Sequence, residues 1–471
     1  MLGLFGTLNL GARSLAAQQL GAEVTGQNLA NVNNPAYTRQ RVVLQASTPL
    51  QTSIGQEGTG VTAVAIQQVR DSLIDNQILA EGSVAGSLNS QQSAMQSAEM
   101  ALGEQITNLS TGGTSSSPNG LIQGISDLFN AFQSLSNNPS SMAQRQVVVQ
   151  TAQELAARFN TVASGLTDVR TTLNTSIQSD VAGANQDLSD IASLNKQIVL
   201  AQAGGGTAND LIDLRQQKLE DLAGKIKIST AAETNGSVDV SIGGVAMITG
   251  LKQTDSLQAV DLGGGQIVVQ AQTAATQVSQ TGSGGSINGS IDVRDGALAT
   301  LQTNLNTVAG HVINSINGIY SKGYDLNGNT GQLMFSGTDA ATMGVNASLV
   351  SDPTTFQASG APGAAGDNSV VLALAQLGSF KFSGLNNQTI TQDYSQTVAG
   401  VGQTVAALND QVSSNTAVSA MLTKQRSAVS GVSLDEEMTN LLQFQKAYQA
   451  SAELISTVNQ MLATVIAMKT V

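Results

Sequence analysis

The chain has 471 residues, 41% of them hydrophobic but only 3% aromatic, with no tryptophan, no cysteine and a net charge of −13. That length accommodates about three domains, and the small apolar side chains suit long helices with thin seams rather than one thick core. Without cysteine there is no disulfide framework, thiol nucleophile or thiolate metal site, and the negative balance repels nucleic acid and anionic membranes alike.

No apolar run approaches the ~18 to 20 residues that cross a bilayer, so membrane insertion is not expected. No basic n-region precedes Leu2, and Gly3, Gly6, Thr7 and Asn9 break the apolar stretch, so the chain is not expected to carry a cleaved secretory signal. Leu4, Leu8, Leu15 and Leu29, with Phe5, Ala12 and Ala22, predict a first helix whose narrow seam is interrupted at Gln18 and Thr25. Asn31, Asn33, Asn34 and Pro35 end it. Tyr37 to Leu44 reads as extended, Gly55, Gly58 and Gly60 punctuate a hairpin-like segment, and Val61, Val64 and Ile66 predict a further strand.

From Asp71 the helical period returns, and Ile74, Ile78, Leu88, Met95, Leu102 and Leu109 predict a helix of roughly ten turns. A Thr/Gly/Ser loop from Ser110 to Asn119 turns the chain back into a helix carrying Leu121 to Leu135, stopped by Asn137-Asn138-Pro139. Another begins near Ser141 and runs to about Ala203; a shorter one, capped by Thr207 or Asn209, extends to Gly224. At Lys225 the period changes from 3.6 to 2. Segments around 226–229, 238–242, 245–248 and 267–271, separated by glycine turns, predict a small β domain ending near Asp292. Helix is expected again from Asp295 to about Tyr320. A turn-rich hairpin from Gly323 to Phe335, a short helix at Val370 to Leu377 and a long helix from Gln392 to Ser430 follow.

The last stretch carries the clearest pattern. Leu434, Leu441, Tyr448, Ile455 and Leu462 recur every seven residues, with Phe444, Val458 and Val465 as companions. This is the seam of a helix packed lengthwise on others. Ser433 and Glu436 have the spacing of a capping box, and Asp435, Glu436 and Glu437 suit the positive end of the helix dipole. Apolar helices at both ends are expected to meet. Their apolar area looks too small to order them alone, so they are expected to gain order among neighbouring subunits. The fold class is mainly α with an inserted small β domain, each inner layer nested within an outer one and the whole elongated. The expected divisions are 1–34 with 432–471 (terminal coiled coil), 35–70 (extended linker), 71–224 with 293–431 (long helices, with a β excursion at about 323–366) and 225–292 (β insert).

Five stretches together carry a resemblance: Asn28 to Arg41 (NLANVNNPAYTRQR), Leu128 to Phe159 (LFNAFQSLSNNPSSMAQRQVVVQTAQELAARF), Asn209 to Arg215 (NDLIDLR), the DLNGNTG after Tyr324, and Ser430 to Lys446 (SGVSLDEEMTNLLQFQK). The chain resembles the bacterial flagellar axial proteins, and specifically the family of the first hook-associated protein at the hook–filament junction. The first stretch marks only the broad class; NDLIDLR and SGVSLDEE point to the narrower one. The resemblance implies a structural subunit exported uncleaved through the flagellar channel and located outside the cell in the flagellum. Its partners would be copies of itself, the hook protein and the second hook-associated junction protein. Its subunit interface would comprise Leu4, Leu8, Leu15, Leu29, Leu434, Leu441, Phe444, Tyr448, Ile455, Val458, Leu462 and Val465. It also implies an export chaperone on the C-terminal helix at Leu441, Phe444, Tyr448 and Ile455. The short β insert departs from the family in leaving little room for an additional outer domain.

Chemistry elsewhere is sparse. His311, the one histidine, rules out a His-rich zinc site, and reads as a structural or surface residue. Asp325, Asn327 and Asn329 have alternate spacing, but Thr330 and Ser336 occupy the positions where a calcium loop needs Gly and Glu, so a tight Asn-Gly turn is the better reading. No cofactor is expected. Asp210 and Arg215 could pair on one helix face; Arg39 and Arg41 read equally as solvated or as intersubunit ion pairs. Readings set against the structural one are the second junction adapter, a secreted adhesin, and a hydrolase using Asp239 and Asp261 of the β insert.

Overall fold

The computed structural model describes residues 3–52, 55–104, 120–279 and 282–469. Helix α1 (Leu4–Ala30) leads into two nested antiparallel hairpins: β1 (Gln40–Ala46) pairs with β4 (Val61–Gln68), and β2 (Leu50–Thr52) with β3 (Gly55–Glu57) between them. Four helices follow, α2 (Ser72–Leu102), α3 (Leu121–Asn137), α4 (Met142–Ala203) and α5 (Asn209–Lys225). A four-stranded antiparallel sheet comprises β5 (Ile228–Ala232), β6 (Val238–Ile242), β7 (Val245–Thr249) and β8 (Lys252–Gln253), beside the hairpin of β9 (Leu257–Asp261) and β10 (Ile267–Ala271). Helix α6 (Ser286–Asp292) passes through a π-helical turn at Val293–Ala297 into α7 (Leu298–Tyr320). The pair β11 (Phe335–Ser336) and β12 (Gly344–Val345), short α8 (Ala347–Ser351) and α9 (Ser369–Gln376) precede the long α10 (Ile390–Ser430) and α11 (Leu434–Lys469).

The helix starts follow local chemistry. Asp71 caps α2 by accepting from Leu73 N–H, Ser141 caps α4 by accepting from Gln144 N–H, and Thr389 with Gln392 forms a reciprocal capping box on α10. At 62 residues, α4 is about 93 Å long, and its two halves serve two separate cores. The first half packs with α2, α3, α7, α9 and α10 around Phe132, Phe159, Val312 and Tyr394. The second half packs with α5, α6 and the β insert around Ile191, Leu222, Met247 and Val269. No residue of α1 or α11 belongs to either core.

The structure differs from the sequence reading in several places, among them strand β9 of the insert, which was not expected. Helix returns at Ser286 rather than Asp295. Ile287 and Ile291 are the only large apolar residues of 286–292, one buried pair too short to show a period, and a Cβ at Gly289 would collide with the Ser87 carbonyl of α2, so close backbone packing adds to their burial. Helix α2 ends at Leu102 because Gly103 adopts a left-handed conformation (φ 65°); Leu109 and the loop Ser110 to Asn119 lie outside the described residues. Helix α5 runs through Gly224 to Lys225, with Ala208 at its N-cap. At Asp325 the tight turn is present: Oδ1 accepts from the N–H groups of Asn327 and Asn329, both at 2.8 Å, so this carboxylate is occupied by its own loop.

Gly86 of α2 is where that helix comes close to α5 and to the start of α6, since a Cβ there would overlap the Gly224 carbonyl oxygen and stand 3.2 Å from Ser286 N. Gly86→Ala is therefore expected to cost about 1–3 kcal/mol, read as a lower midpoint in urea unfolding. An unchanged midpoint would contradict the close approach of α2, α5 and α6.

Candidate assembly interface and its polar base

Helices α1 and α11 pack antiparallel, in a register that steps by seven residues in each. Asn28 Nδ2 donates to Glu437 Oε2 at 3.0 Å, Gly21 lies under the Phe444 ring, and Ser14 Oγ meets Ser451 Oγ at 2.9 Å. The helices are close because the α1 side of the seam is built of small residues. A Cβ on Gly21 would stand 2.5 Å from the Phe444 ring, and one on Gly11 2.8 Å from Ile455 Cγ1. Ala17, Val24 and Thr25 are buried with them. Thr25, read in the sequence as an interruption, belongs to the seam and donates its hydroxyl to Gly21 O at 2.9 Å.

The expected interface residues fall into two sets. Val458 is buried, and Leu4, Leu8, Leu15, Leu29, Leu441, Phe444, Ile455 and Leu462 are half-buried. Leu434, Tyr448 and Val465 are 49%, 39% and 53% exposed. The innermost line of α11 is therefore Glu437, Phe444, Ser451 and Val458, a heptad that a search for large apolar residues passes over because two of its members are polar. The seam is formed within a single chain, and polar contacts join it at its base.

At that base three of the sequence stretches meet. Asn28, 1% exposed, uses its whole amide: Nδ2 also donates to Gln40 O at 2.8 Å, and Oδ1 accepts from Tyr37 Oη at 2.9 Å and Gln40 N–H at 3.0 Å. Arg39 bonds Glu437 through Nε and Glu436 through Nη1, both at 2.8 Å, and its N–H donates to Ser430 O. Thr38 donates its N–H and hydroxyl to Asp213 at 2.9 and 2.7 Å, and Gln40 exchanges bonds with Asn209 and Asp210. The NNPAYTRQR segment is thus clamped between NDLIDLR on α5 and SLDEE on α11. Arg39, read as solvated or intersubunit, makes its ion pairs within the chain. Asp210 and Arg215 do not pair: Arg215 donates to Asn195 Oδ1 and Gly236 O, tying α5 to α4 and the β insert.

Burial, reinforced by the charges of Asp210, Asp213 and Glu437, pushes the Tyr37 phenol up to about 12. Burial raises the Asp213 carboxyl, against the pull of the Thr38 bonds and Arg70. Burial, with Arg70 nearby, lowers Arg215 to about 10, which leaves it charged at neutral pH. A cleft of about 410 Å³ lies beside this base; its cations are paired, Arg70 with Asp75 and Asp213, Arg426 with Glu220. His311 rests 5.5 Å from the Phe382 ring. Asp239 and Asp261 lie on different sheets, each accepting from a nearby turn N–H, of Gly250 and Gly263. Among the described residues no three His, Cys, Asp or Glu side chains cluster as a metal site.

A family model described as "Flagellar hook-associated protein FlgK helical domain" matches residues 112–335, and one described as "Flagellar basal body rod FlgEFG protein C-terminal" matches 418–468. The chain is similar to flagellar hook-associated protein 1 of Bacillus subtilis (strain 168), 28% identical over 512 aligned residues that take in 99% of this chain and 98% of that one. The protein of the same name from Salmonella typhimurium is 23% identical over 560, covering 96% and 98%. These alignments are longer than the chain itself, so the relatives carry insertions relative to it. Among solved structures, the flagellar hook junction protein FlgK from Burkholderia pseudomallei has the same fold, with a TM-score of 0.63 at 16% identity over 75% of this chain and 100% of that one.

Gly21→Leu is expected to pry the seam apart at a cost of about 1–3 kcal/mol, read as faster amide exchange in α1 and α11 with α4 unchanged; unchanged exchange in the pair would contradict the packing. For Tyr37, a folded pKa near 12 against about 10 in the unfolded chain means a contribution that is whole below pH 10 and lost as pH rises towards 12. The difference in thermal midpoint between wild type and Tyr37→Phe should accordingly shrink across that window, and a constant difference would show that the phenol is not held there.

Proposed function

The chain belongs to the family of flagellar hook-associated protein 1, and from that premise we propose that it is a non-enzymatic structural adapter assembled as a ring at the hook–filament junction. The observation that carries this reading is the terminal pair. Belonging to neither core, it leaves apolar side chains uncovered on its outer side: Met461 and Met468 are 50% and 76% exposed, and Phe5 is 71%. Large apolar side chains left exposed along one helix pair fit an interaction surface, and copies packed side by side would cover them. Leu434, Tyr448 and Val465 then serve contacts between copies, while Phe444, Ile455 and Val458 hold the pair within one.

In this reading residues 1–34 and 432–471 form the assembly domain, 35–70 the connection, 71–224 with 293–431 the helical body, and 225–292 the outward β insert. The hook protein and the second hook-associated protein are its neighbours on either side. Export as an unfolded chain separates α11 from α1, which exposes Leu441, Phe444, Tyr448 and Ile455 together. An export chaperone that covers these residues replaces α1 until assembly. A secreted enzyme or adhesin has no comparable observation in its favour.

Deleting the gene in its own flagellated strain tests the proposal by electron microscopy and by assay of flagellin in the medium. Bare hooks with shed flagellin are expected. Normal filaments on intact hooks would overturn it.

A further inference from the structure

We infer that the first two turns of α5, Asn209 to Arg215, are a coupling element. Through them the seating of the terminal helices at the polar base sets the order of the β5–β6 turn of the insert, and the insert acts back on the base in the same measure. The inference concerns a single chain and does not depend on the assembly proposed above.

Three observations carry it. The two turns have little to order them from within α5. Ala208 at the N-cap makes no side-chain bond to the first N–H groups, and Gly204 to Gly206 ahead of it are exposed. The residues of α5 buried before Leu219 are all polar, Asn209, Asp213 and Arg215, and its share of the insert core begins at Leu219. A helix end without a cap or an apolar face frays unless other groups hold it. Those groups come from two sides. From the base, Thr38 bonds Asp213, Gln40 bonds Asn209 and Asp210, and Gln68 Nε2 donates to Asn209 O at 2.8 Å. From the insert, Gly236 O and Asn195 Oδ1 accept from Arg215 Nη1 at 2.7 and 2.8 Å. Finally, each grip ends in a buried amide that fixes more than α5. Asn195, 0% exposed, also accepts from Val238 N–H at 3.1 Å and donates to Val238 O and Gly250 O, as Asn28 does for Gln40 and Glu437 on the other side.

Asn209 and Arg215 are about 9 Å apart along the helix axis, so fraying that starts when the base lets go reaches Arg215 within two turns. Loss of the Arg215 bonds frees the same two turns from the other end. An element whose folded state is favoured from both sides transmits a change at either one, and linkage makes the effect equal in both directions. In the assembly proposed above, copies that settle α1 on α11 would thereby firm the β insert; that consequence alone rests on the assembly.

Amide exchange of the purified full chain tests the coupling with two variants that leave the core half of α5 unaltered: the double variant Thr38→Ala with Gln40→Ala, and Arg215→Met. The double variant should speed exchange at Gly236, Ser237 and Val238 by at least about fivefold. Arg215→Met should speed exchange at Thr38 and Gln40 by a similar factor, and the amides of α3 and β10 should keep wild-type rates in both. Wild-type rates at Gly236 to Val238 in the double variant would overturn the inference, as would wild-type rates at Thr38 and Gln40 in Arg215→Met, because the two grips would then act independently. Acceleration that extends to α3 and β10 would overturn it too, making these residues general stabilisers. None of these results bears on the gene deletion, and normal filaments in the deletion strain would leave the coupling as it stands.

Discussion

The Asn28 side-chain amide is the constraint on which the rest depends. It is buried, bonds to Tyr37, to both backbone groups of Gln40 and to the Glu437 carboxylate, and so fixes α1, the first strand and α11 relative to one another at one point. A buried carboxylate such as Glu437 tolerates desolvation only when its oxygens are bonded, and Asn28 and Arg39 meet that need from opposite sides. Since neither terminal helix contributes to a core, this base, continued through Thr38 to Asp213, is what orients the terminal pair on the helical body.

Above the base the pair is held by closeness. Gly11, Ser14 and Gly21 let the helix axes approach until Phe444 and Ile455 sit directly on the α1 backbone. A seam of this kind is tight but thin. It stabilises the pair along one line and leaves the outer apolar side chains of α11, Met461 and Met468 among them, uncovered.

Most of the elements were legible in the sequence because their periods are long, as in α4 and α10, or strongly apolar, as in α3, or because glycine turns bracket a strand, as in β6 and β7. What escaped the reading was packing through small or polar residues. Helix α6 begins nine residues before the expected Asp295; its one buried apolar pair, Ile287 and Ile291, and Gly289, which packs by lacking a side chain, make too short a pattern to read. The innermost heptad of α11 contains Glu437 and Ser451, which carry no apolar signal. Each motif of the base could be named, but that NNPAYTRQR, NDLIDLR and SLDEE share one site depends on contacts between residues up to 409 positions apart, which no local pattern encodes.

The most direct test of the central claim is a double-mutant cycle between Asn28→Ala and Asp213→Asn, measured by equilibrium unfolding of the purified chain. If the polar base is one connected unit, the two substitutions should couple by about 1–2 kcal/mol although their side chains share no bond. Strict additivity would mean that the terminal pair and the helical body are held independently, contradicting the account.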